Sequence, residues 1–188
     1  TISYHVSLSD HAGKNGVYTV QAYVYNASGE SKVCSIKVLA GVGEQKGFVN
    51  WNGSTYYVHE NGALGLQWQE LEEGCYYFDY TTAQMVTGWV GSDTKFYLDS
   101  DGKLHTGWLE LDGKKYYFDT SGVMLAGTIA SIDGTTYRFD SDGAATKTSG
   151  NDYTVEGKYV KVFDAKNNKY YYMEEEFLEH PGIADGKI

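Results

Sequence analysis

Gly107-Trp108-Leu109-Glu110-Leu111-Asp112-Gly113-Lys114-Lys115-Tyr116-Tyr117-Phe118-Asp119-Thr120-Ser121-Gly122-Val123-Met124-Leu125-Ala126-Gly127 reads as two strands and two turns. Trp108 to Leu111 is the first strand. Asp112-Gly113 is a two-residue hairpin turn, because a type I′ turn needs positive φ at both central positions. Lys115 to Asp119 is the return strand, Thr120-Ser121-Gly122 turns again, and Val123 to Ala126 leads onward. Side chains alternate along a strand, so Tyr116 and Phe118 point to one face and Tyr117 to the other. A lone hairpin is marginal in water. With both faces aromatic, this one can bury one face on its neighbours and line a groove with the other.

The unit is one of several. Tyr56, Tyr76, Phe96 and Tyr116 recur at 20-residue steps, and Tyr137 follows after 21. A second register runs ahead of it through Phe48, Trp68, Trp89, Trp108 and then Thr128. A period of this length marks an array of stacked supersecondary units. Asn52-Gly53, Gly74 and Asp133-Gly134 stand at the hairpin turn, and Asp93-Thr94 takes that place in the third unit. Gly62, Gly102, Gly122 and Gly143 stand at the second turn, where the second unit has Thr82-Ala83-Gln84. The fold class is therefore all-β, a β-hairpin repeat solenoid over residues 47–148, stabilised by nearest-neighbour stacking.

Composition agrees. Of 188 residues, 18 are Tyr, 23 are Gly and one is Pro, the mixture expected of half-buried pleats joined by tight turns. The formal net charge of −10 disfavours nucleic acid and anionic membranes as partners and admits cationic or neutral ligands. No apolar run approaches the roughly 18 residues of a membrane span. Cys34 and Cys75 fall in different modules, which argues against a structural disulfide, and neither has metal-ligand spacing. Beginning at Thr1, the chain reads as an excised or processed piece of a longer protein.

The flanks lack the period. Residues 1–40 hold strand-like runs at Ile2 to Leu8, Val17 to Tyr25 and Lys32 to Leu39, the last two joined as a hairpin by Asn26-Ala27-Ser28-Gly29. Some 40 residues rarely bury enough to fold alone, so this segment must pack on its neighbour or belong to a larger domain. Ser9-Asp10-His11, Gly16 to Val20 and Tyr23 to Gly29 resemble the end of the GBS Bsp-like repeat, an Ig-like module of Gram-positive surface proteins. That resemblance implies an N-terminal Ig-like β segment. Residues 41–46 read as a linker. Residues 149–188 read as a degenerate capping hairpin or transition tail, with strands at Lys158 to Phe163 and Lys169 to Met173 and a short acidic helix at Glu174 to Glu179.

Over residues 47–148 the units resemble choline-binding, or cell-wall-binding, repeats: Gly-Trp, then Asp-Gly-Lys, an aromatic pair with Phe-Asp, then Gly, Met and a closing Gly. Gly107 to Gly127 carries the pattern nearly throughout, Gly88 to Gly107 well, and the other units in part. The resemblance implies a non-catalytic module that anchors a secreted Gram-positive protein to the cell wall, with any catalytic domain outside this chain. It also implies ligand cages between consecutive hairpins, here Trp68, Tyr76 and Tyr97; Trp89, Phe96 and Tyr117; and Trp108, Tyr116 and Tyr137, with Met85 and Met124 at the family's Met position. The partner it implies is a wall polymer, either choline-bearing teichoic acid or a glycan; no cofactor or metal is implied. Ring faces hold a quaternary ammonium, each contact supplying about 0.5–2 kcal/mol. Strong choline binders usually place Trp where this chain has Tyr or Phe, and related glucan-binding repeats use such rings for sugars. The ligand therefore stays open between choline and glycan, and the same rings would also serve as packing between hairpins.

Other motifs have plainer readings. Asp99-Ser100-Asp101-Gly102 and Asp140-Ser141-Asp142-Gly143 lack the spaced ligands and closing Glu of a calcium loop and occupy the turn slot of every unit. Glu174, Glu175, Glu176 and His180 read as a solvated acidic face.

Overall fold

The computed structural model describes residues 14–25, 28–29, 31–148 and 159–174. The expected first strand, residues 175–179 of the expected acidic helix and the cluster reaching His180 lie outside them; Glu174, the helix's expected first residue, ends a β-strand instead. Two compact units partition the chain: Thr1–Gly88 with Leu98–Lys103, and Trp89–Tyr97 with Leu104–Ile188.

The repeats are antiparallel hairpins: β3 (Gly47–Trp51) with β4 (Ser54–Val58), β5 (Gln67–Leu71) with β6 (Gly74–Phe78), β7 (Gly88–Val90) with β8 (Phe96–Leu98), and β9 (Gly107–Leu111) with β10 (Lys114–Phe118). In the fifth, β11 (Thr128–Ile132) pairs β12 (Thr135–Phe139). The expected Asx-Gly turns form: Asn52, Asp112 and Asp133 have φ near 50°, each followed by a glycine at φ 73–77°. Positive φ at both positions matches the twist of the flanking strands. Gly74 differs, since it is the first residue of β6, paired with Leu71, and the two-residue turn is Glu72-Glu73.

In the second and fourth repeats a short third segment ties the hairpin to the one before. The Met85 amide donates to the Thr55 carbonyl (2.7 Å), and the Met124 amide donates to the Lys95 carbonyl (2.9 Å). The second-turn glycines are the seats for these segments. A Cβ on Gly102 or Gly143 would strike the Met85 or Met124 side chain, and one on Gly122 would lie 2.6–2.7 Å from Leu104. In the second repeat Ala83 takes the glycine's place at φ 60° with its methyl fully buried.

In the first unit, β1 (Gly16–Tyr25) and β2 (Ser31–Ala40) form the expected hairpin. The end of β2 behaves as the return strand of a preceding repeat: the Leu64 amide donates to the Lys37 carbonyl (2.7 Å). Leu39 joins Val49, Tyr56, Val58, Leu64 and Ala83 in one core. The described part of this segment is thus a two-stranded head on the array, the packing that its small size requires.

The second unit contains a five-stranded sheet, in the order β13 (Ala145–Lys147), β12, β11, β14 (Tyr159–Asp164), β15 (Lys169–Glu174). β14 runs parallel to β11, with Ile129 opposite Val162. Thr128, which stands where other units have Trp, is 4% exposed and its hydroxyl donates to the Lys161 carbonyl (2.9 Å). A small β-branched residue leaves room for β14 to lie against β11.

Two substitutions test this backbone logic. Gln67 adopts φ 59° at the position that Gly47, Gly88, Gly107 and Gly127 hold at φ 57–82°. A left-handed L-residue costs roughly 1–2 kcal/mol, so Gln67→Gly should raise the melting temperature by about 2–4 °C or more. Gly122→Ala, at φ +80° and against Leu104, should lower stability by about 1–3 kcal/mol. Thermal unfolding followed by circular dichroism reads both, and opposite signs from these would defeat the account.

Candidate functional site

The aromatic junctions follow from the hairpin register. The Asp112-Gly113 turn sets Leu111 opposite Lys114, which places Trp108 opposite Tyr117. By the pleat, Trp108 and Tyr117 share one face, and Tyr116 and Phe118 share the other. The leading ring of a hairpin therefore meets the second aromatic of its own return strand and the first aromatic of the next hairpin.

Among the described residues, the Phe48, Trp89 and Trp108 junctions show this geometry. Phe48 lies 5.2 Å from Tyr57 and 4.9 Å from Tyr76. Trp89 lies 5.3 Å from Tyr97 and 5.2 Å from Tyr116, nearly perpendicular to both at 81° and 77°. Trp108 lies 5.1 Å from Tyr117 and 4.6 Å from Tyr137. Beneath them Phe78, Phe118 and Phe139 form floors, packed against Tyr57, Trp89 and Trp108 respectively. Phe78 and Phe118 are fully buried and Phe139 is 1% exposed.

The expected sets are regrouped. Trp89 meets Tyr97 and Tyr116 in place of Phe96 and Tyr117, and Trp108 meets Tyr117 and Tyr137 in place of Tyr116. Trp68 rests on Tyr77 at 5.0 Å, while Tyr76 belongs with Phe48 and Tyr97 with Trp89. Phe96 is a half-buried residue of β8. Met85 and Met124 lie on the turn glycines Gly102 and Gly143. The residues missed from the expected sets are Phe48, Tyr57 and Tyr77, the floor phenylalanines and two histidines. His59 packs edge-on against Tyr57 (5.1 Å), and His105 packs against Tyr97 (6.3 Å) and Phe118 (5.4 Å). The two-residue turn was the available signal for the strand-to-strand partners. Nothing in the period marks the histidines.

Exposure separates the junctions. Trp89 is 41% exposed and Trp68 36%, leaving indole surface open to a ligand, whereas Trp108 is half-buried against the core of Leu125, Ala130, Ile132, Phe139 and Phe163. The aspartates of the second turns are occupied by local bonds. Asp119 Oδ1 accepts from the Ser121 amide (2.8 Å), the Ser121 hydroxyl (2.6 Å) and the Val123 amide (3.0 Å). The Asp140 carboxylate likewise accepts from the Asp142 and Ala144 amides, so these slots are turns, as expected. Cys75 is a half-buried free thiol whose pKa is raised by burial and then by Glu70.

Burial, followed by the carboxylates of Asp133 and Asp119, pushes the Tyr117 phenol above its ordinary value. A raised folded-state pKa favours the neutral form, so its contribution to stability is complete below about pH 10 and is lost as pH rises through the folded value. Alkaline unfolding should begin as the phenols ionise, and Tyr117→Phe should flatten the slope above pH 10. Equilibrium unfolding between pH 8 and 11.5 checks this; an unchanged slope in the variant would exclude Tyr117 as a contributor.

Residues 105–149 match the profile of the choline-binding repeat, and residues 46–64 match that of a putative cell wall binding repeat. A search of curated protein sequences finds no match. Among solved structures, choline binding protein F from Streptococcus pneumoniae, in the presence of a peptidoglycan analogue (a tetrasaccharide-pentapeptide), is similar at TM-score 0.51 and 25% identity, over 79% of this chain and 43% of that one. CbpJ from Streptococcus pneumoniae TIGR4 shares the fold at TM-score 0.56 and 22% identity, over 83% of this chain and 58% of that one. This chain thus spans about half the length of those proteins. Residues 46–64 and 105–149 thus match repeats of the choline-binding, cell-wall-binding type, and the described residues form an all-β frame of paired antiparallel hairpins.

Proposed function

We propose that this chain is a non-catalytic attachment module of a secreted Gram-positive surface protein, and that it holds a choline-bearing wall polymer through its aromatic junctions. The observation that carries the reading is the Trp89 junction, an open indole set nearly at right angles to Tyr97 and Tyr116 over a buried phenylalanine floor. A quaternary ammonium offers no hydrogen to donate and is held by ring faces, each supplying about 0.5–2 kcal/mol. Trp89, Tyr97 and Tyr116 form the leading site. Trp108 with Tyr117 and Tyr137, Phe48 with Tyr57 and Tyr76, and Trp68 with Tyr77 are further ring groups of the same kind. Met85 and Met124 support the hairpins that carry them. Sites this small bind weakly one by one, and several on one chain anchor it by avidity. The overall negative charge favours a cationic ligand in the same direction.

Retention on immobilised choline with elution by free choline tests the reading. Trp89→Ala should weaken choline binding at its junction about tenfold, the loss of roughly 1–2 kcal/mol of ring contact. No retention, together with a melting temperature that high choline leaves unchanged, would remove the choline form. One feature favours a second reading, a glucan or wall-glycan module. Tyr116 and Tyr137 put phenol hydroxyls at junctions where a sugar could accept or donate a hydrogen bond and choline's ammonium could not. Co-sedimentation with insoluble glucan or purified peptidoglycan separates the two. If neither ligand binds while Trp89→Ala still lowers stability, the rings only pack and the array is a spacer.

A further inference from the structure

The Phe48 junction differs from the two tryptophan junctions at one position. Strand register places Gln69 opposite Tyr76, the ring that Phe48 meets at 4.9 Å. The corresponding residue is Leu109, opposite Tyr116, at the Trp89 junction and Ala130, opposite Tyr137, at the Trp108 junction. Opposed residues of an antiparallel pair share a face. Each of these side chains therefore flanks the ring that its junction receives from the following hairpin, and only Gln69 is polar. Gly65 brings Gln69 toward the other wall of its junction. A Cβ on Gly65 would lie 3.3 Å from the Gln69 Cγ and 3.4 Å from the Tyr57 Cβ, so this bare stretch of backbone is a contact that Gln69 and Tyr57 share.

The chain itself orients the Gln69 amide. Its Nε2 donates to the Leu66 carbonyl at 2.8 Å and to the Trp68 carbonyl at 3.0 Å. Carbonyls only accept, so both amide hydrogens are committed there and the nitrogen cannot change places with the oxygen. Oε1 is left on the other branch of the amide plane, and among the described residues none donates to it. Gln69 is half-buried, whereas Phe48 is 37% exposed. A fixed acceptor thus stands beside an open ring. An amide oxygen partly withdrawn from water and left without a donor carries a free-energy cost, which a ligand that brings a donor removes.

We infer that the Phe48 junction is a saccharide subsite, with Phe48 as the platform for a sugar ring and Gln69 Oε1 as the acceptor for a sugar hydroxyl or acetamido N–H. This rests on the reading of the junctions as ligand sites and divides them by chemistry. The Trp89 and Trp108 junctions, flanked by Leu109 and Ala130, offer rings and aliphatic groups, which suit a quaternary ammonium with no hydrogen to donate. The Phe48 junction offers an apolar surface and one placed polar group, the pairing that fixes the orientation of a bound small molecule. A sugar matches both, through its C–H face and its rim of donors. The repeats thereby hold two different groups of a wall polymer, the ammonium at tryptophan and the glycan at Phe48.

Maltotriose and tri-N-acetylchitotriose, titrated separately into the full chain, test the inference, with tetramethylammonium as a cation that has no donor. The Gln69 side-chain amide and the Trp89 indole N–H resonances are followed. A saccharide should shift the Gln69 amide, and tetramethylammonium should shift the Trp89 indole and leave Gln69 in place. A shift with maltotriose assigns a hydroxyl as the donor, and a shift with tri-N-acetylchitotriose alone assigns the acetamido N–H; either supports the subsite. Gln69→Leu, read from the Tyr76 backbone amide, should bind the saccharide about three- to tenfold more weakly, the loss expected of one hydrogen bond, with tetramethylammonium affinity at Trp89 unchanged. Unaltered saccharide affinity in Gln69→Leu overturns the inference. So does a Gln69 amide in wild type that no saccharide moves while tetramethylammonium moves Trp89, or one that tetramethylammonium moves as far as a saccharide does; these wild-type outcomes decide the matter even if the variant fails to fold. Silence of both resonances toward every probe overturns the reading of the junctions as ligand sites, and this inference with it.

Discussion

The seating of one hairpin's leading ring on the return strand of the next is the contact on which the structure depends. Two strands of five residues cannot bury both faces, and each face here is aromatic. Phe48 on Tyr76, Trp89 on Tyr116 and Trp108 on Tyr137 supply the missing cover. The backbone reinforces the same step. Met85 and Met124 each donate an amide hydrogen to an earlier return strand while their side chains fill the hollow over a turn glycine. Ring, amide and glycine therefore constrain one another, and a change at one is felt at the others.

The ends show what the array requires when a repeat is missing. At the head, β2 gives Lys37 as acceptor and Leu39 as core residue, the two things a preceding return strand would provide. At the far end, Thr128 replaces the bulky leading ring, and β14 pairs in parallel with β11. In both places departure from the repeat pattern marks a boundary, because the neighbour that the consensus residue would have touched has been replaced by a different strand.

The junctions were half legible. Aromatic spacing identified the rings, and the Asp112-Gly113 turn already implied that Trp108 stands opposite Tyr117, since two-residue turns fix register by counting. The expected sets joined Trp108 to Tyr116 across the pleat, which alternation forbids. The face of the following hairpin that turns toward Trp108 depends on packing between units, and periodicity carries no information about it. The floor rings Phe118 and Phe139 follow from the same alternation once that face is known. His105 reaches its junction through a chain segment that enters after the hairpin closes, so spacing within the hairpin could not place it.

Sequence by itself determined that the chain is a series of hairpins, where they turn and which rings each one carries, because turn chemistry and side-chain alternation act within a few residues. Tertiary structure decided which rings meet, which indoles remain open, what caps the two ends and which histidines join the rings. Those outcomes depend on contacts between units some 20 to 30 residues apart, as with Met124 on Lys95 and Trp89 on Tyr116. Packing of whole faces fixes such contacts, and no local propensity does.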